Sequence, residues 1–242
     1  MRKVAWLACF VIACSGSPNR PNGGNYPDAG PGSLVYSQSF AGPEGSDWPA
    51  PWYPITSHVT WHDLHNNQGR FRSDGMGGVP GRMELPNFSE RDVEAVWTVA
   101  FEDPTNQGSG LYVRQSGQYI GEGYVLYIEG IAYPPATHLT FWTAVNGVEN
   151  KFFDVPAPVS PLFANTRYRV RFQVVQVDTY ITLLRARIWP ATDSEPPQSI
   201  WHIETTDNTP SLQNARGTFA FDVYNYSGTA NVLVSDLVIT RL

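Results

Sequence analysis

The chain has 242 residues, 16 Lys plus Arg against 22 Asp plus Glu, and a formal charge of −6. That balance argues against nucleic acid as a partner, because neutralising phosphates takes a basic footprint. Two cysteines, Cys9 and Cys14, are too few for a disulfide framework or a multi-thiolate metal cluster.

Arg2 and Lys3 precede an apolar run over 4–13 (VAWLACFVIA), the layout of a secretory signal. Ten residues cannot span a bilayer, which takes about 20 in a helix. The tetrapeptide Val11-Ile12-Ala13-Cys14 resembles the lipobox of bacterial lipoproteins. The resemblance implies a 1–13 signal peptide, cleavage before Cys14, a diacylglycerol on its thiol, and palmitate or another acyl chain on the new amino terminus. Such chains contribute about 0.8 kcal/mol per buried methylene, so two or three of them anchor stably to a membrane. Ser15 after the cysteine points to the outer membrane or cell surface of the envelope rather than the inner membrane. An ordinary cleaved signal containing a cysteine is the alternative. On the lipoprotein reading, no free thiol survives in the mature chain.

Residues 14–33 consist almost wholly of Ser, Gly, Pro, Asn and Asp after the cysteine and predict a disordered linker. The rest, 34–242, reads as one domain. Period-two alternation rich in β-branched and aromatic residues predicts strands over 34–40, 93–101, 110–115, 124–129, 138–144, 168–177, 182–189, 218–226 and 232–240. With no capped helical stripe, the fold class is all-β, an antiparallel β-sandwich. Tyr168, Val170, Phe172 and Val174 would face the core with Arg169 and Arg171 opposite. Leu184, Ala186 and Ile188 would do the same with Arg185, Arg187 and Trp189 opposite, and Phe219, Phe221 and Val223 with Asp222, Tyr224 and Tyr226 opposite. If these strands share a sheet, its outer surface is a ligand-binding face of arginine, aromatic and carboxylate side chains.

The runs Tyr168-Arg-Val-Arg-Phe-Gln-Val, Leu184-Arg-Ala-Arg-Ile-Trp-Pro-Ala191 and Val234-Ser-Asp-Leu-Val-Ile-Thr240, with Glu195, Pro196, Trp201 and Asp207 between them, resemble bacterial laminin G-like modules. Those modules belong to the concanavalin A-like jelly rolls. The likeness is best over 90–242 and thin over 41–85, where Trp48, Trp52 and Trp61 lie. It implies that the first and last strands, 34–40 and 232–240, are adjacent. Because this superfold hosts lectins, glucanases and lyases, activity must be argued from the site.

Glu90-Arg91-Asp92-Val93-Glu94 resembles the E-x-D-x-E strand of laminarinase-like glycoside hydrolases, which would make Glu90 and Glu94 the acid/base and nucleophile pair around Asp92. Arg91 breaks the apolar alternation of such a strand. Retention also needs carboxyl groups about 5–5.5 Å apart, whereas residues four apart on a strand are about 13 Å apart at Cα. A solvated strand start is the simpler reading. His58, His62 and His65 sit near Asp63 but among Pro and Gly, so they read as loop histidines rather than metal ligands. Asp236 resembles the last-strand aspartate that lies near a structural calcium in some lectin-like sandwiches, though one carboxylate cannot satisfy six to eight ligand positions.

Three functions remain open. The first is a membrane-anchored lipoprotein whose sandwich binds polysaccharide without catalysis, through Arg169, Arg171, Arg185, Arg187, Trp189, Asp222, Tyr224 and Tyr226; those arginines suggest an anionic glycan. The second is a hydrolase or lyase of the same superfamily, and the third an adhesive envelope protein.

Overall fold

A computed structural model describes residues 32–74, 80–117, 121–225 and 229–242. The signal, Cys14, nearly all of the linker and Tyr226 lie outside the described residues. Fifteen strands form in chain order: β1 (Ser33–Gln38), β2 (Tyr53–Pro54), β3 (Val59–His65), β4 (Gln68–Ser73), β5 (Gly81–Glu90), β6 (Val93–Phe101), β7 (Gln107–Ser116), β8 (Glu122–Glu129), β9 (His138–Val145), β10 (Val148–Pro156), β11 (Tyr168–Asp178), β12 (Ile181–Pro190), β13 (Ile203–Asp207), β14 (Gly217–Asn225) and β15 (Val232–Arg241). One 3-10 turn, Pro210–Leu212, is the only helical element among the described residues.

The strands make two antiparallel sheets. Sheet A runs β13-β12-β11-β6-β15-β4-β3, with β1 also paired to β15; sheet B runs β10-β9-β8-β7-β14-β5-β2. The expected adjacency of first and last strands holds, with Ser33 opposite Arg241 and Gln38 opposite Leu237. The two arginine strands are neighbours, Arg171 lying across from Arg187. The strand carrying Asp222 and Tyr224 does not join them. It is β14, in the middle of sheet B. Alternation assigns a side chain to a face of its strand but says nothing about which sheet the strand enters.

Period two places one face of each sheet in a shared core. Val170, Phe172, Ala186 and Ile188 from sheet A meet Leu111, Leu126, Phe141, Phe219 and Phe221 from sheet B, all fully buried. The segment 41–52 closes one end of this core. Trp48 packs edge-on to Phe40 at 4.9 Å, and Trp52 stacks on Phe221 at 5.4 Å. Their indole N–H groups donate to the Arg70 carbonyl and the Tyr36 hydroxyl, so both rings are buried without orphaning a donor. His62 and His65 lie in β3 rather than a loop, because the Asn66-Asn67 turn, with both residues at positive φ, folds 59–73 into a hairpin.

Candidate functional site

The sheet A arginines are engaged by the protein itself. Arg171 donates to Glu195 through Nε at 2.5 Å and Nη2 at 2.9 Å, and also to Glu94. Arg187 pairs with Glu195 at 2.5 Å and donates to the Pro197 carbonyl at 2.8 Å. Arg185 donates to Gln173 at 2.8 Å, and the Trp201 ring lies 4.4 and 4.8 Å from the Arg185 and Arg187 guanidinium carbons. Trp189 is buried and Arg169 donates to Thr98 at 3.3 Å. The connection 191–202 therefore folds over β11 and β12, and the expected arginine–aromatic ligand face becomes a packed interface. Arg171, Arg185 and Arg187 are already paired with Glu94, Glu204 and Glu195 of the protein itself, which weighs against an anionic ligand there.

The other members of the expected site, Asp222 and Tyr224, occupy the outer face of sheet B. Across β5, β14, β7, β8, β9 and β10 that face carries Arg82, Asp222, Tyr224, Gly110, Tyr112, Tyr127, Thr140, Trp142 and Glu149. Arg82 and Asp222 form a bidentate pair at 2.6 Å in both bonds, with neither residue exposed to solvent. Burial works against the Arg82 charge, but the adjacent Asp222 carboxylate outweighs it and holds the guanidinium protonated. Tyr127 donates to Asp222 at 2.7 Å, and Arg82 lies 4.0 Å over the Tyr112 ring. Gly110 makes room for the Tyr127 ring, since a β-carbon there would lie 2.5 Å from Cδ1 of that ring.

Glu149 closes the cluster. Its carboxylate accepts from Tyr112, from Tyr224 at 2.7 Å, from Tyr127 at 3.4 Å and from Arg82 at 3.2 Å. In a flat sheet β10 and β5, five strands apart, would be separated by roughly 24 Å at about 4.8 Å per strand. Arginine and glutamate together cannot reach that far, so sheet B must curl and present a concave outer face. Burial pushes Tyr112, Tyr127 and Tyr224 well above the usual phenol range, so each remains a hydrogen-bond donor.

Half-buried Trp142 and Tyr224 stand at the surface of this floor. Trp142 meets Tyr127 edge-on at 6.0 Å, and its indole N–H donates to the Thr140 hydroxyl at 2.9 Å. Thr140 in turn donates to Glu129 at 2.9 Å. Glu129 is 5 % exposed, and burial pushes its carboxyl up to about 7 against the lowering effect of Thr140. Next to it, Tyr133 stacks on His138 at 3.8 Å, His138 pairs with Asp154 at 3.0 Å, and the Lys151 ammonium lies 4.7 Å over the Tyr133 ring.

The E-x-D-x-E residues do not share a strand. Strand β5 of sheet B ends at Glu90, Arg91 and Asp92 cross to sheet A, and β6 begins at Val93. Glu90 is bound by Arg241 at 2.8 and 2.5 Å, Asp92 by Arg91 and the Gln176 amide, and Glu94 by Arg171 and Gln173. They neither converge nor stand in solvent as a strand start would. His58 pairs with Asp74 at 2.8 Å, and His65 pairs with Glu44. Asp236 sits at a positive-φ bulge and accepts from Arg167 at 2.9 Å, Ser235 at 2.9 Å and Thr98 at 3.2 Å. Among the described residues no three metal-ligating side chains cluster.

No protein-family model matches the chain, and no curated protein matches it. Solved structures do. It is similar to the carbohydrate-binding module CBM66 from Bacillus subtilis, with 14 % identity, 78 % of this chain and 94 % of that one covered, and a TM-score of 0.54. It is similar to a Bacillus licheniformis β-glucanase at 10 % identity, 87 % and 99 % coverage and TM-score 0.55, and to a β-1,3-glucanase from Mycobacterium marinum at 12 %, 86 % and 99 %, and 0.54. At these identities the likeness concerns the fold. The chain is an all-β antiparallel two-sheet sandwich, the fold it shares with these structures.

Proposed function

We propose that the protein is a glycan-binding module that uses the concave face of sheet B, and that its ligand is a neutral polysaccharide. The observation that carries this is the convergence of Tyr112, Tyr127, Tyr224 and Arg82 on Glu149 beneath half-buried Trp142. Tyr112, Tyr127, Arg82 and Asp222 are fully buried, and their hydrogen bonds and ring contacts hold the two rings that reach solvent, Trp142 and Tyr224, ready to stack on a sugar at little ordering cost. Asp222, Glu149 and Asp154 outnumber Arg82 and Lys151 on this face, so a uronate would meet repulsion where a neutral sugar meets acceptors. Sandwiches of the same fold include a carbohydrate-binding module, which is consistent with this use.

The same cluster disfavours catalysis. The Glu149 oxygens are already taken up by three phenols and an arginine, which leaves little room to accept a substrate proton, and phenols held protonated are poor proton acceptors for an elimination. Glu129, with a carboxyl near 7, has the property of a general acid and is the one feature favouring a hydrolase. We read the module as displayed on the bacterial envelope through a lipid on Cys14, on the strength of the Val11-Ile12-Ala13-Cys14 motif.

Affinity electrophoresis through gels containing laminarin, barley β-glucan, xylan or polygalacturonate tests the reading. Retardation by a neutral polysaccharide is expected, falling about tenfold in Trp142→Ala, the equivalent of about 1.4 kcal/mol of stacking. Retardation by polygalacturonate alone, or an unaffected Trp142→Ala, overturns it. Reducing sugar released by the wild type and lost in Glu129→Gln would establish the hydrolase instead.

A further inference from the structure

Trp61 stands apart from the other described tryptophans. Trp48, Trp52, Trp97 and Trp189 are buried, Trp142 and Trp201 are half-buried, and Trp61 is 47 % exposed. It lies on the outer face of β3 in sheet A, directly across from Arg72 on β4, whose guanidinium carbon is 5.7 Å from the ring centroid. Two residues along, Asp63 faces Arg70 and binds it bidentately at 2.8 and 2.5 Å. The indole thus has a cross-strand cation beside it and a fixed ion pair next along the face.

Exposing so large an apolar ring gives up burial worth about 25 cal/mol per Å². Trp48 and Trp52, thirteen and nine residues earlier in the same part of the chain, are fully packed, so the local fold has core positions for indoles. The surroundings also select a kind of partner. A protein docking site surrounds its aromatic anchor with apolar side chains that become desolvated together. Here the neighbours on the face are Arg70, Arg72 and Asp63, with exposed Thr60 beside the ring. Arg72 donates through Nη1 to the Thr229 carbonyl at 3.3 Å, and its buried Nε has no hydrogen-bond partner among the described residues. A single flat ring framed by planar hydrogen-bonding groups matches a pyranose, which offers a C–H face to the ring and a rim of hydroxyls to the frame.

We propose that Trp61, with Arg72 and the Asp63–Arg70 pair, forms a second glycan-binding platform on sheet A, separate from the concave face of sheet B. It shares the ligand class of the concave-face reading but none of its residues. Two platforms on opposite sheets would let one molecule hold two polysaccharide chains, or two stretches of one chain, and raise retention on a solid glycan by avidity.

Laminarihexaose and cellohexaose serve as soluble probes, curdlan and cellulose as solid ones. In the wild type, titration with a hexaose should move both the Trp61 and Trp142 indole N–H resonances. Trp61→Ala should keep the melting temperature, keep the Trp142 response, and lower retention on the matching solid glycan about tenfold; Trp61→Tyr should restore part of it. The double variant Trp61→Ala/Trp142→Ala should not be retained. A Trp61 resonance unmoved by both hexaoses overturns the second platform, whether or not Trp142 responds. Wild-type retention in Trp61→Ala overturns it as well. A response at Trp61 without one at Trp142 would support this platform while removing the concave-face reading.

Discussion

Glu129 sits at the one point on the concave face where a buried carboxyl has a single hydroxyl donor and no arginine of its own. Burial raises its carboxyl to about 7, from an ordinary value of 4.5. A carboxyl raised in the folded state holds its proton there after the unfolded chain has released it. The stability it contributes is therefore complete below about 4.5 and is lost as pH climbs through 7. A shift of this size corresponds to about 3 kcal/mol at about 1.4 kcal/mol per pH unit. Glu129→Gln removes the ionisable proton and keeps the shape. Melts from pH 5 to pH 8.5 should show the wild type losing stability toward alkaline pH relative to the variant. Parallel curves for the two proteins would mean that the carboxyl ionises normally. Burial raises the Asp222 carboxyl as well, but there a paired guanidinium held at 2.6 Å opposes the shift. Removing one member of such a buried pair typically costs about 3–5 kcal/mol, so Asp222 is a poor position for testing ligand contact.

At the scale of elements, the connection 191–202 is held on sheet A largely through Glu195, which bridges Arg171 and Arg187. Glu195→Ala should leave the buried Arg187 guanidinium short of an acceptor, at a cost of about 1–3 kcal/mol. Urea denaturation measures that loss, and protease nicking should increase within 191–202; a variant as stable and resistant as the wild type would show that Pro197 and Trp201 suffice. This connection also explains what the sequence reading could reach. Strands 168–174 and 182–189 were legible because apolar and polar residues alternate along most of their length, and both fell where expected. That their arginines meet Glu195 and Trp201 depends on a loop folding back, which alternation does not encode. The concave face was hidden for a different reason. Tyr124-Val125-Leu126-Tyr127-Ile128 is apolar at every position and buried on both faces, so period two cannot distinguish its outer residues from its core residues. That continuous run was itself a signal that large side chains pack on the outer face as well as in the core. Glu149 carried no comparable mark, because it stands on the polar edge strand β10 and acquires its partners only when sheet B curls.

On the scale of the whole molecule, the N-terminal strand β1 pairs with the C-terminal strand β15 in sheet A, while the concave face belongs to sheet B. A lipid at Cys14 would therefore tether the module through sheet A, on the side opposite the concave face. Anchoring and glycan binding should then be separable, because no residue of the concave face lies in β1 or β15. Cys14→Ala in the full chain, expressed in a Gram-negative host, removes the acylation site. The variant should move from the membrane pellet to the soluble fraction, or accumulate uncleaved, and once solubilised it should be retarded by a neutral polysaccharide as strongly as the wild type. Mass spectrometry of the wild-type N-terminal peptide should find acyl chains on Cys14. An unmodified Cys14, or cleavage at another bond, would remove the anchor; weakened retardation in the variant would instead tie the glycan site to the membrane.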